Sequence, residues 1–184
     1  MEANLKKSIN KKVSDFASIE QLMRDSLGMG SDTQVVDAII AIGKEFPQDA
    51  TAISTGTAQY LCGRFLQGTI LCNELFAMAV GYEMKMEVAR RRALGEAVII
   101  KAKAAGIKTA KECEFYAHTD EDYLAAAEAL ISAKMIRTLI EGLRKDFDKS
   151  HYFMRSIYQK ELMGDDSVVP HSGDVSEESD TYGW

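Results

Sequence analysis

Proline is almost missing from this chain. Only Pro47 and Pro170 occur, and the 122 residues between them hold none. Proline is the residue that breaks a helix, while the Ala, Leu, Ile, Met, Lys and Glu that fill the interval lose least on entering one. An all-α protein is therefore expected. Cysteine is scarce as well: Cys62, Cys72 and Cys113 are odd in number and lie inside helical patterns. Neither a disulfide framework nor a zinc site, which needs paired Cys or His at close spacing, fits them. Free thiols in a reducing cytoplasm are the expectation. No run of about 18 uncharged apolar residues exists, so no membrane span is expected. The opening "MEANLKKSINKK" carries charge without an apolar core behind it, so no secretory signal is expected either.

Catalytic signatures are also lacking. There is no HExxH, no GxxxxGK[ST] and no GxGxxG. Glu83 and Glu87 lie one helical turn apart, as do Glu114 and His118, but carboxylate-bridged metal sites need Glu-x-x-His repeated on facing helices. No catalytic residue, metal or cofactor is assigned, and the chain is read as a non-enzyme.

What is present is helical periodicity and an uneven charge layout. Residues 1–13, with Lys6, Lys7, Lys11 and Lys12, read as a basic arm, mobile or a frayed helix. Residues 14–46 read as a small N-terminal helical unit: Phe16, Ile19, Met23 and Leu27 recur at helical steps after Ser14, and Val35, Val36, Ile39, Ile40 and Ile42 follow Asp32. Residues 50–163 read as a long antiparallel helical hairpin. Its first helix runs from about Thr51 to Ala105, with Gly106 as the stop. Small residues between Ser54 and Gly68 predict either a kink or a close approach by another helix. "TAKE" (Thr109 to Glu112) fits a capping box, and "HTDEDYL" restarts a helix capped by Thr119 or Asp120. In that last helix Leu124, Ala127, Ile131, Ile136, Ile140, Leu143 and Phe147 recur near helical spacing. A two-helix hairpin cannot bury two apolar faces by itself; it needs the N-terminal helices, other subunits, or both, and a homo-oligomer is the expectation.

The formal net charge of −6 lies wholly in residues 165–184, which hold six acids and no Lys or Arg. The body therefore balances, 22 against 28 − 6 = 22. Within it, Lys85, Arg90, Arg91, Arg92, Lys101, Lys103, Lys108 and Lys111 stand against Glu83, Glu87 and Glu96, a local +5 from eight minus three. On a helical wheel Lys85, Arg92 and Lys103 share one side and Arg90 and Lys101 nearly the opposite one. Two readings stay open: a solvated helix, or a surface for an anionic partner such as nucleic acid. Late in the last helix Arg144, Lys145, Lys149 and Arg155 are interleaved with aromatics including Tyr152. That mixture suits single strands, whose unstacked bases offer π-faces. Residues 164–184 compose a disordered acidic tail in which Asp174, Glu177, Glu178, Asp180, Tyr182 and Trp184 are candidates for docking a partner or masking the basic surface. A solubilising role is the other reading.

The stretches "MEVARRRALGEAVIIKAKA", "HTDEDYL" and "KSHYFMRSIY" together resemble the UvsY-type recombination mediators of T-even-like phages, over roughly residues 80–163. The resemblance implies a small helical oligomer that binds single-stranded DNA and helps a recombinase displace a single-strand-binding protein. By position it implies that Arg90, Arg91, Arg92, Lys101 and Lys103 contact phosphates and that the 120–163 helix builds the oligomer. Residues 14–46 and the acidic tail lie outside the resemblance. The competing class is a protein-only helical adaptor, such as a phage assembly or host-interaction factor.

Overall fold

The structure, a computed structural model, describes residues 2–27, 34–47 and 53–163. Among them there are only helices: α1 (Glu2–Ser18), α2 (Glu20–Leu27), α3 (Gln34–Lys44), α4 (Thr55–Glu96), a π-helical turn (Ala97–Lys101), α5 (Ala102–Ala104), α6 (Ala110–Ala117) and α7 (Glu121–Met163). The fold is all-α, a long antiparallel hairpin of α4 and α7 with small N-terminal helices packed on it. The acidic tail and Asp32 lie outside the described residues.

At 42 and 43 residues, α4 and α7 are each about 65 Å long. Along α4, Ala58, Leu61, Phe65, Gly68, Cys72, Leu75 and Ala79 are buried in alternating steps of three and four, which is the seam that keeps one face toward a partner helix. Ile136, Ile140, Leu143, Phe147 and Met154 of α7 supply the other side. Polar contacts record the antiparallel register. Arg137 Nε lies 3.1 Å from Glu83 Oε2, Arg144 Nη1 donates to Asn73 Oδ1 at 3.4 Å, and His151 Nδ1 lies 3.0 Å from the Cys62 carbonyl.

The small residues expected to kink residues 54–68 leave α4 unbroken. At Gly68 they serve the other expectation, close approach: a Cβ there would sit 3.1 Å from the Phe147 ring and 3.2 Å from Ile42. Three helices meet at that point. Phe65 lies between Phe46 and Phe147, with ring centroids 5.7 and 6.3 Å away.

Of residues 1–13, expected as a mobile arm or frayed helix, those from Glu2 on form the first turns of α1, and Ile9, Val13 and Phe16 of that helix are buried. The intervening lysines disguise an apolar stripe at steps of three and four, Leu5, Ile9, Val13 and Phe16. Asp146 of α7 is 5% exposed and holds α1 in place. It accepts from Ser8 Oγ at 2.7 Å and pairs with Lys12 Nζ at 2.9 Å. The N-terminal helices thus cover the half of the hairpin nearest its open end. The other half, from about residue 80 to residue 134, is a bare helix pair. Leu124 and Ile131, expected in the buried stripe of α7, are 45% and 67% exposed there, and Tyr123 and Leu130 are buried instead.

Gly106, at φ 79°, stops the first arm as its lack of a Cβ permits. Thr109 Oγ1 accepts from Glu112 N and donates to the Glu112 carboxylate. It therefore caps α6, with the glutamate bonding the hydroxyl. Asp120 Oδ1 accepts from Tyr123 N and caps α7.

Candidate nucleic-acid interface

The basic segment divides by which way α4 faces. Arg90 and Lys101 look toward α7, as their shared side of the wheel requires. Arg90 Nη2 donates to Glu87 Oε1 at 3.1 Å, and Tyr123 of α7 lies beside its guanidinium. Lys101 Nζ donates to both Asp120 oxygens, at 3.0 and 2.9 Å, and bonds Asp122. These bonds, first to Asp122 and then to Asp120, hold the Lys101 ammonium well above its usual range. The reciprocal bond from Lys101 holds the Asp120 carboxyl below its own. Arg91 is more exposed, yet its Nε donates to Glu87 Oε1 at 2.9 Å. Bonds from Arg90 and then Arg91 depress the Glu87 carboxyl.

The segment that carries Lys101 is a π-helical turn. Ala102 N–H bonds back five residues, to the Ala97 carbonyl. Such a turn lags an α-turn by one residue, so Ala102 is buried where an unbroken helix would point it outward.

Lys85, Arg92, Lys103, Lys108 and Lys111 are exposed and meet no carboxylate partner among the described residues. At the closed end of the hairpin, Lys108 and Lys111 line a depression of about 740 Å³ with Phe115 and Tyr116. Phe115 is 74% exposed there. An aromatic face beside two ammonium groups offers a base a stacking platform and its phosphates counter-charges. The motif reading passed over Phe115 because it lies in a short helix between two stronger signals.

The second group sits elsewhere. Arg144 lies over the Phe76 ring, 5.1 Å from its centroid, and Lys145 pairs with Glu141 at 2.7 Å. Lys149 and Tyr152 line a groove of about 650 Å³ between α7 and Asn4, Leu5 and Ser8 of α1. Burial pushes the Cys62 thiol pKa up, and the charge of the exposed Arg155 opposes that shift. Since Arg144 stands opposite Asn73, about 25 Å of helix separates this group from Arg90. The two basic groups do not form one surface within a single copy. The structure also brings Lys11 of α1 beside Lys134 of α7, in a depression between the two helices. Reading residues 1–13 as a mobile arm or frayed helix hid the contribution of Lys11.

Asp174, Glu177, Glu178, Asp180, Tyr182 and Trp184 lie outside the described residues. Among the described residues no group of three or more His, Cys, Asp or Glu is placed to hold a metal ion. Glu83 and Glu87 face arginines instead. No helix there is long and apolar enough to cross a membrane. No family model matches the chain, and neither a curated protein nor a solved structure does.

Proposed function

We propose that this protein is a non-enzymatic single-stranded-DNA-binding recombination mediator, one that helps load a recombinase onto strands covered by single-strand-binding protein. The observation that carries the DNA-binding part is the closed end of the hairpin. There Lys108 and Lys111 line a depression with the exposed Phe115, and Lys103 is exposed just before the Gly106 stop; none of the three has a carboxylate partner among the described residues. Phosphates would meet the ammonium groups and Arg92, and an unstacked base would lie on the phenyl ring. The mediator part, with its recombinase and single-strand-binding-protein partners, rests on the likeness of residues 80–163 to UvsY-type mediators. In this reading the acidic tail competes with DNA for the basic surface.

Fluorescence anisotropy with a labelled single strand across a salt series tests it, using the full chain and a version ending at Gly164. With about four phosphates neutralised, log affinity should fall against log salt with a slope of roughly −2.8. The truncated form should bind tighter. Changing Lys103, Lys108, Lys111 and Phe115 together to Ala should abolish binding at moderate salt and leave the melting temperature near that of the parent. No binding by either form at low salt ends the DNA reading.

The second reading, a protein-only helical adaptor, is favoured by one observation. Met84, Val88, Ile99 and Ile131 lie exposed on the bare half of the hairpin. It predicts a defined protein partner and no salt-dependent DNA affinity.

A further inference from the structure

At 100° per residue, Leu66, Ile70, Ala77, Gly81, Met84 and Val88 fall within about 60° of one another around α4. Their strip is nearly opposite the seam that α7 covers. All six are exposed, Met84 and Val88 to 66%. The strip runs over 22 residues, or about 33 Å. The N-terminal helices do not reach it. The α3 side contacts α4 through Arg64, bonded to Glu45, and through Gly68, packed by Ile42, and both point elsewhere around the helix. A Cβ placed on Gly81 would meet nothing within 4 Å. Nothing in the hairpin itself accounts for a small residue at that position.

The charges beside the strip are asymmetric along its length. Glu74 is exposed on one half and Lys85 on the other, and no carboxylate or cation among the described residues pairs with either. We propose that a second copy of this chain covers the strip, α4 against α4, antiparallel, about a two-fold axis between residues 79 and 80. That register sets Glu74 of each copy opposite Lys85 of the other, twice over by symmetry. It sets Val88 opposite Ile70, and it brings Ala77 and Gly81 to the crossing, where their size lets two backbones approach. A parallel arrangement would stack Lys85, Arg91 and Arg92 on themselves, and like charges so placed oppose association. An apolar strip, a small-residue crossing and complementary flanking charges thus agree on one self-complementary contact. One helix wide and about 33 Å long, it lies at the small end of specific interfaces, so association should depend on concentration. This inference is independent of DNA binding.

Sedimentation velocity of the full chain over a concentration series tests it. The parent should shift from monomer to dimer as concentration rises. Glu74→Lys and Lys85→Glu should each weaken dimerisation about ten-fold by facing like charges across the axis. The double reversal Glu74→Lys with Lys85→Glu should restore the parent affinity to within about two-fold. Gly81→Gln separates association from folding: glutamine favours helix over glycine, so the melting temperature of the monomer rises while the dimer is lost. A monomer at every concentration overturns the proposal. So does a dimer that tolerates Gly81→Gln or gains nothing from the double reversal.

Discussion

Replacing Gly43 with Ala is a small perturbation with a sign that the tertiary structure decides. Gly43 lies near the end of α3 with ordinary helical backbone, since Gly106 is the only residue with positive φ among those described. On local grounds alone, alanine should stabilise the helix by up to about 1 kcal/mol. A Cβ at this position would, however, stand 2.3 Å from Val13 Cγ2 and 3.4 Å from Val13 Cβ. Carbon contacts are optimal near 3.5–4.0 Å, so the overlap exceeds about 1 Å. Val13 is a buried, β-branched helical residue with one strongly preferred rotamer. Relief must therefore come from moving α1 away from α3, an overpacking cost of about 1–3 kcal/mol.

Gly63 is the control, because a Cβ there meets nothing within 4 Å. Urea unfolding of both variants removes the common propensity term. Gly43→Ala should come out about 1–3 kcal/mol less stable than Gly63→Ala. Val13→Ala should recover most of that difference in the Gly43→Ala background, a coupling of similar size in a double-mutant cycle. Equal stabilities for the two alanine variants, or no coupling to Val13, would refute the account of how α1 is seated. Because α1 carries Lys11 to the α7 surface, the same shift should weaken any anion binding at that end and spare the closed end.

Lys12→Met should cost about 1–3 kcal/mol in urea unfolding, since it leaves the nearly buried Asp146 with Ser8 as its remaining side-chain partner; a change within 0.3 kcal/mol would contradict the burial of that pair. The Asp120 and Glu87 carboxyls are depressed in the folded chain. Their contribution is complete above the ordinary carboxylate range and is lost as pH falls through the folded values. Melting temperature should therefore drop below about pH 4, and Asp120→Asn should flatten that drop. The Cys72 thiol, buried and pushed up to about 12, should resist alkylation at pH 8 in the native protein and react at the rate of unfolding. Rapid native labelling of Cys72 would show that the α4–α7 seam opens.

The all-α class, the hairpin, the Gly106 stop and the caps at Thr109 and Asp120 were legible in the sequence. Each follows from residue preferences within a few positions of one another. So was the division of the basic helix into a side with Arg90 and Lys101 and a side with Lys85 and Arg92, because a wheel is local geometry too. The wheel could not say which side meets α7. Only the register of two helices more than twenty residues apart placed Asp120 and Asp122 against Lys101 and left Arg92 open. The attachment of α1, the seating of Gly68 against Phe147, and the exposure of Leu124 and Ile131 are likewise decisions of packing. Periodicity says that a helix has an apolar face; which of two such faces is covered depends on a partner distant in the chain. The same limit holds for the charges. A run of lysines is visible in one dimension, but whether each cation is neutralised is settled by the carboxylate that folding brings to it.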